Sequence, residues 1–193
     1  SLDAALDHLV SSNIKSIAIC FLHSHINSEH EKLVAAVIRQ CFPEIEISVS
    51  SEVAGEVREF ERTSTTCVDA YVKPLVRRYI EGLEDGLQSL GMSNNLALML
   101  SHGGIGSARD VVTRFPVRMI ESGPAAGAIA AAYFSRQALQ NADVIAFDMG
   151  GTTAKMSLIR DGAPSVTNEY EVAHVHRFKR GSGIPLQISA VEL

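Results

Sequence analysis

Two apolar runs meet at a glycine-rich corner in the segment VIAFDMGGTTAKMSLI, residues 144–159. The first run leads directly into Asp148, and the second has apolar residues at alternate positions from residue 154 onward. Apolar runs of this length are typical of β-strands. Because only residues 149–153 connect them, the two strands can pair only as an antiparallel hairpin.

The rest of the chain alternates apolar runs with segments of helical periodicity. Residues 16–22 and 45–50 predict strands, and a helix is predicted between them over residues 28–40, with Ser28 and Glu31 as a capping box. This order is the signature of an α/β fold with a mostly parallel sheet, to which the hairpin is an exception. The other predicted elements are a helix over 2–12, loop with one short helix over 50–66, a helix over 68–90 that Pro74 kinks or shortens, strands over 96–100 and 116–120, and helices over 107–114 and 123–139.

Composition excludes several classes of protein. The 193 residues carry a net charge of −5 and no extended Lys/Arg cluster, which argues against a nucleic-acid binder. The apolar runs are shorter than the about 20 residues that a membrane-spanning helix needs. Cys20, Cys41 and Cys67 are odd in number and far apart, which predicts reduced, buried thiols and a cytoplasmic protein. The charged run EVREFERT, residues 56–63, predicts a solvated surface.

The corner itself carries the residue types of a phosphate site. Gly150 and Gly151 leave room for an anion beside backbone N–H groups, and Thr152 and Thr153 add hydroxyl donors. Asp148 would repel a bare phosphate, so the combination indicates Mg²⁺-bound phosphate, with Asp148 holding metal-bound water or orienting an attacking water. The alternative is an ordinary hairpin with a glycine turn.

A helix rich in small residues precedes the hairpin. The segment ESGPAAGAIAAAYF, residues 121–134, places Ala and Gly where a helix could pack very closely against neighbouring backbone. It could lie between two lobes, with Gly123 and Gly127 as hinge and close-packing positions, or it could be an ordinary buried helix. The order of this helix and an Asp-x-Gly-Gly-x-Thr loop resembles the interdomain helix and second phosphate loop of the actin-like ATPase superfamily, whose fold is ribonuclease-H-like. Relative to its heat-shock chaperones, Thr152 replaces a third glycine and Lys155 replaces an acid.

The chain resembles the hydantoinase A/oxoprolinase family more closely, and the acetone-carboxylase-like branch in particular. The resemblance extends over nearly all of the chain, through FLHSHINSEHE, SSEVAGEVREFERTSTTCVDAYVKP, SHGGIGS, ESGPAAG, FDMGGTTAKMSLI and RFKRGSGIPL. It implies an enzyme that uses ATP and Mg²⁺ to attack a small cyclic amide or a ketone, a hydantoinase B-type partner subunit or domain, and possible homo-oligomers.

The same resemblance implies a partial, actin-like fold. We expect a first-lobe region over residues 1–122, an interdomain helix over 123–140 and the start of a second lobe over 141–193. Family members have a further phosphate loop before the position of Ser1 and a glycine-rich segment after GSGIPL. We therefore expect a fragment of a longer protein, inactive and a weak ATP binder on its own.

A dinucleotide-binding fold is one alternative. A predicted strand is followed by Gly104 and Gly106, a short helix, a second predicted strand and Glu121, which is the order of a Rossmann unit that binds NAD. Arg109, however, stands where the third small residue should be. A non-enzymatic actin-like nucleotide switch is another alternative and uses the same corner.

The histidines suggest a further kind of site. His23, His25 and His30 cluster near a strand end, and His174 and His176 share a strand face, so either group could bind a metal or form surface hydrogen bonds. The segment GSGIP, residues 181–185, lacks the spacing of a nucleophile elbow and predicts a loop.

Overall fold

The computed structural model of the chain describes residues 12–92, 96–140, 143–151, 153–176, 179 and 181–193. The helix predicted over residues 2–12 lies almost wholly outside these residues. The described residues form a mixed α/β structure with several small sheets. No helix within these ranges combines the length and apolar character that crossing a membrane requires.

The N-terminal unit is a β-α-β crossover. Strand β1 (Ser16–Ile19) pairs in parallel with β2 (Glu46–Val49), and helix α1 (Glu29–Cys41) connects them. The helix position is confirmed, but the capping box is wrong because Ser28 makes no side-chain cap. Glu31 is instead fully buried, where it accepts hydrogen bonds from Ser50 and two backbone N–H groups. The core of this unit consists of Ile19, Ala35, Ile38, Ile47 and Val49.

A short helix, α2 (Ser50–Val53), leads to the long helix α3 (Glu59–Ser89), which has 31 residues and passes through Pro74. The loop prediction over residues 50–66 is therefore wrong for its second half. The prediction that residues 56–63 form a solvated surface is also wrong at Arg62, which is fully buried. Hydrophobic periodicity does not predict the start of α3, because the buried face of this helix is polar. That face carries Arg62, Thr65, Thr66, Asp69 and Lys73.

The middle of the chain contains a second hairpin. Strands β3 (Ala97–Met99) and β4 (Ile105–Ser107) pair antiparallel, and α4 (Ala108–Arg114) follows directly. The strand predicted over residues 116–120 is wrong, because Pro116–Met119 forms a 3₁₀ turn. Within that turn the buried Val117 donates its N–H to Asp69 of α3 at 3.0 Å, instead of joining a sheet.

The small-residue helix and the glycine hairpin form as predicted. Helix α5 (Ser122–Phe134) ends in a π-helical turn, and β5 (Val144–Met149) pairs antiparallel with β6 (Ala154–Arg160), which continues into β7 (Ala163–Pro164). The hairpin packs against α5 on one face. Its outward face leaves large apolar side chains exposed at Ile145, Phe147, Met149, Met156 and Leu158.

The C-terminal strands fold back on the first half of the chain. Strand β8 (Val166–Thr167) pairs with β11 (Ala190–Val191), and β9 (Tyr170–Val172) pairs with β10 (Ile184–Leu186), both antiparallel. Leu186 and Ile188 pack against Val53 and Val117. Among the described strands only β1 and β2 pair in parallel, so the predicted mostly parallel sheet is wrong. Short connections such as those within β5–β6–β7 allow only antiparallel pairing.

The cysteines also differ from expectation. All three are free thiols, but Cys41 and Cys67 are exposed and Cys20 is half-buried, so the prediction of buried thiols is wrong for two of them.

Candidate functional site at the glycine corner

The corner between β5 and β6 is a tight turn whose described residues are exposed to solvent. Asp148 lies opposite Lys155 in the antiparallel register, and the Gly150 N–H closes the turn by donating to the carbonyl of Thr153 at 3.0 Å. A Cβ added at Gly150 or Gly151 would meet nothing within 4 Å. The space that the sequence predicted for an anion is therefore present. The Gly150 N–H, which is already used within the turn, is not available to a bound anion.

Asp148 is exposed and lies on the face of the hairpin that meets α5. Its Oδ2 is 3.9 Å from an ideal Cβ position at Gly127, which is ordinary van der Waals distance, so alanine would fit there. A cavity of about 220 Å³ lies between α5 and the hairpin, with Asp148 and Lys155 in its wall. Pockets that enclose a whole small-molecule ligand are larger, about 300 Å³ or more. This cavity is therefore too small to enclose a whole nucleotide.

Three residues that the sequence analysis did not connect form a polar network behind the corner. The Lys155 ammonium group pairs with Glu121 Oε2, and the Tyr170 hydroxyl donates to Glu121 Oε1 at 3.0 Å. Burial, reinforced by the Glu121 carboxylate, raises the pKa of the Tyr170 hydroxyl, so that this group stays protonated as a donor. Glu121 has a left-handed backbone with φ of 61° immediately before α5. These contacts join the hairpin to the start of α5 and to β9.

The donor set at the corner fits a hydrated magnesium ion with phosphate. Mg²⁺ prefers oxygen ligands and usually keeps several waters, which one exposed carboxylate such as Asp148 can hold. The nearest cation across the hairpin, Lys155, is already paired with Glu121. The hydroxyl of the exposed Thr153 lies at the same turn, whereas Thr152 lies outside the described residues.

The structure does not support the dinucleotide-binding alternative. Gly104 and Gly106 belong to the antiparallel β3–β4 hairpin instead of a strand-to-helix phosphate turn. The second strand of the proposed unit is the 3₁₀ turn Pro116–Met119. Glu121, the predicted ribose ligand, is bound to Lys155 and Tyr170.

Two of the five candidate histidines, His25 and His174, contact protein side chains. His25 lies with its ring 6.2 Å from that of His23, and its Nδ1 is 3.1 Å from the guanidinium of the buried Arg62. His174 lies 3.4 Å from a carboxylate oxygen of Glu171. Among the described residues, no group of three or more His, Cys, Asp or Glu side chains could hold a metal ion.

Comparison with known proteins identifies relatives over the same segment. The family model described as Hydantoinase/oxoprolinase matches residues 62–193, and the model of the Hydantoinase/oxoprolinase N-terminal region matches residues 1–42. The uncharacterized protein MJ0964 of Methanocaldococcus jannaschii is 45% identical over 180 residues, which is 92% of this chain and 26% of that protein. The caprolactamase subunit alpha of Pseudomonas jessenii is 34% identical over 170 residues, which is 88% of this chain and 24% of that subunit.

Solved structures match nearly the whole chain. The nucleotide-free structure of acetone carboxylase, an enzyme of ATP-dependent acetone carboxylation, covers 99% of this chain with a TM-score of 0.77 and 25% identity. The ATP-dependent caprolactamase of Pseudomonas jessenii covers 98% with a TM-score of 0.75 and 30% identity. In both cases the chain corresponds to 26% of the other chain, so it spans about a quarter of the length of these relatives.

Proposed function

Since the chain belongs to the hydantoinase/oxoprolinase family, we propose that it is part of an ATP-handling subunit that activates a small cyclic amide or a ketone. The observation that carries the proposal is the tight turn after Asp148, in which the backbone of Gly150 and Gly151 is unobstructed. The relatives are a caprolactamase subunit and an acetone carboxylase, both described as ATP-dependent. Because the caprolactamase relative is a subunit, a hydantoinase B-type partner is part of the proposal.

Each residue of the corner has a proposed role. Gly151, Thr152 and Thr153 contact phosphate oxygens through backbone N–H and hydroxyl groups, and Gly150 shapes the turn while leaving room for the anion. Asp148 holds Mg²⁺ through water or orients an attacking water. The division into residues 1–122, 123–140 and 141–193, with Gly123 and Gly127 as hinge positions, remains a prediction.

The chemistry that this arrangement serves is phosphoryl transfer. An amide or ketone carbonyl is a weak electrophile, and moving a phosphoryl group from ATP to its oxygen makes the carbon easier to attack. The new oxygen–phosphorus bond forms as the bond from phosphorus to the leaving nucleotide oxygen breaks. Such reactions depend on positioning and on stabilising phosphate charge, which are the tasks that backbone amides and a bound Mg²⁺ perform.

Kinetics of the full gene product with its partner subunit tests this assignment. We expect Asp148→Asn to lower kcat for ATP hydrolysis about a hundredfold or more while nucleotide affinity changes much less, because an oriented carboxylate acts mainly in the transition state. The matched control is Asp85→Asn, at an exposed position of α3. If Asp148→Asn turns over ATP as fast as that control, the corner has no catalytic role.

An actin-like nucleotide switch would use the same corner without a small-molecule substrate. The two functions differ in whether a cyclic amide or a ketone stimulates ATP hydrolysis. We expect stimulation, since the relatives are enzymes with such substrates. Hydrolysis that only a protein partner stimulates would favour the switch.

A further inference from the structure

The pairing of the hairpin strands places a lysine beside the carboxylate to which the proposed function gives the magnesium role. Asp148 and Lys155 are direct partners in the antiparallel register of β5 and β6. The side chains of such partners point to the same face of a sheet, with Cβ atoms about 4.5–5.5 Å apart. Both residues also line the cavity of about 220 Å³ between α5 and the hairpin. From the register alone, the Lys155 ammonium group should pair with Asp148.

The Lys155 ammonium group pairs with a different carboxylate. Its ion-pair partner in the part of the chain that the structure describes is Glu121, and no ion pair among these residues joins it to Asp148. The side chains of Lys155 and Glu121 are only 23% and 26% exposed, whereas Asp148 is an exposed residue. Opposite charges attract more strongly where water is partly excluded. Burial therefore favours Glu121 over Asp148 as the partner of this lysine.

Glu121 is held in place from two directions. Its left-handed backbone, with φ of 61°, comes immediately before the first turn of α5. The hydroxyl of Tyr170 donates to Oε1 of its carboxylate at 3.0 Å. Because one oxygen is bonded in this way, the other oxygen, Oε2, is directed at Lys155.

The choice of partner matters for the charge at the corner. A carboxylate binds Mg²⁺ through the same oxygens that accept hydrogen bonds from an ammonium group. A pair between Lys155 and Asp148 would therefore compete with a divalent cation for the Asp148 oxygens and offset their negative charge. The pair with Glu121 removes this competition.

We propose that Glu121 is a positioning residue for the corner. It holds Lys155 away from Asp148 and so keeps the Asp148 carboxylate available to a hydrated divalent cation. Glu121 acts through Lys155 and contacts neither the cation nor the phosphate. This inference rests on the proposed function, since it explains how a residue outside the turn prepares the site that the proposal assigns to Mg²⁺ and phosphate.

NMR titration of the 193-residue chain with Mn²⁺ tests the proposal without requiring turnover. Mn²⁺ prefers the same oxygen ligands as Mg²⁺ and broadens nearby amide signals, here those of Met149, Gly151 and Thr153. We expect Glu121→Gln to weaken Mn²⁺ binding at the corner about fivefold, the upper end of what a cross-strand ion pair contributes. The matched control is Glu81→Gln at an exposed position of α3, which makes the same change in net charge and should bind Mn²⁺ like the native chain.

Removal of the lysine separates this role from a merely structural one. Lys155→Met alone should change the Mn²⁺ affinity by less than about twofold, because Lys155 does not pair with Asp148 in the native chain. Glu121→Gln/Lys155→Met should return the affinity to within about twofold of the native value, because no ammonium group remains to compete. If Glu121 acted only through its own charge, the two single effects would add. Additive effects, or a double variant as weak as Glu121→Gln, would overturn the proposal.

Asp148→Asn distinguishes failure of this inference from failure of the proposed function. Broadening at the corner that Asp148→Asn removes, but that Glu121→Gln leaves unchanged, would overturn the role of Glu121 and leave the proposed function standing. No broadening at the corner of the native chain would overturn the metal site, and the role of Glu121 with it.

Magnesium tripolyphosphate, as a second probe, tests whether Lys155 contacts phosphate itself. We expect Lys155→Met to bind this probe as tightly as the native chain. Weaker binding by Lys155→Met would mean that the ammonium group leaves Glu121 for the anion, and would overturn the proposal.

Discussion

Replacing Asp69 with alanine is expected to destabilise the protein by about 3–5 kcal/mol, the cost typical of breaking a buried ion pair. Asp69 lies fully buried on α3, where Oδ2 accepts from the Ser48 hydroxyl at 2.6 Å and Oδ1 accepts from the Val117 N–H at 3.0 Å. The Lys73 ammonium group lies 3.7 Å from Oδ2 and donates to the Ile47 carbonyl at 2.8 Å.

The magnitude comes from what the alanine variant leaves unpaired. The Ser48 hydroxyl and the Val117 N–H each lose a charged acceptor in the interior, which costs about 1–3 kcal/mol per group. Burial raises the pKa of Asp69 and lowers the pKa of Lys73, so each charge already bears a desolvation penalty that their pairing offsets. Without Asp69, the Lys73 ammonium stays buried and loses its ion-pair partner on α3.

Urea unfolding followed by circular dichroism measures the effect, and a double-mutant cycle identifies its cause. In Asp69→Ala/Lys73→Met no buried ammonium remains. The double variant should therefore lose less unfolding free energy than the two single variants lose together, by at least about 1.5 kcal/mol. The matched control is Glu81→Ala, which removes a surface pair with Arg77 at 3.9 Å and should change stability by less than about 0.5 kcal/mol. A loss below about 1 kcal/mol in Asp69→Ala, or strict additivity in the cycle, would refute the reasoning.

Two further predictions concern titratable groups. Burial acts to raise the pKa of Glu31, but hydrogen bonds from Ser50, Phe21 and Ser51 outweigh it and lower the pKa below its ordinary value of 4.5. Its contribution to stability is therefore fully present above about pH 4.5 and is lost as pH falls through the lowered pKa. Glu31→Gln should flatten the acid side of a plot of unfolding midpoint against pH, whereas Glu29→Gln should not. Identical plots for the two variants would refute this role of Glu31. Burial raises the pKa of the Cys20 thiol, whereas Cys41 and Cys67 are exposed. A thiol reagent at pH 8 should therefore modify two cysteines fast and one slowly, and Cys20→Ser should abolish the slow phase. Three equal rates would contradict this prediction.

The local elements that depend on apolar patterning could be predicted. The hairpin at residues 144–159 follows from two apolar runs and a short corner, and its antiparallel pairing is confirmed. Helices α1 and α5 also lie close to the residues for which helices were predicted. The function of the corner stays a prediction, because no contact in the protein alone tests it.

The start of α3 could not be predicted because its interior face is polar. Thr65 and Thr66 bond their hydroxyls to carbonyls one turn earlier, at 2.6 and 2.7 Å, and Arg62 satisfies carbonyls of other segments. In a sequence these residues are indistinguishable from a solvated surface. Only the folded arrangement shows that each of them has a partner.

Sheet topology and the network behind the corner depend on long-range contacts that periodicity does not report. Alternating strands and helices indicate parallel pairing, whereas the described strands pair antiparallel except for β1 with β2. Glu121 contacts residues 34 and 49 positions away, Lys155 and Tyr170. In the sequence, the only signal for Lys155 is its place opposite Asp148 across the predicted hairpin.

NMR titration of the 193-residue chain with Mg-ATP tests the central claim most directly, since it detects binding even at millimolar affinity. If the corner holds phosphate, the amide signals of Gly151 and Thr153 should show the largest shifts. Gly181, in another turn, where its N–H donates to Glu171, should not respond. Gly151→Val should abolish the shifts while leaving thermal stability unchanged within about 0.5 kcal/mol, because open space surrounds its Cβ position. Shifts that survive Gly151→Val, or that cluster elsewhere, would contradict a phosphate site at this corner.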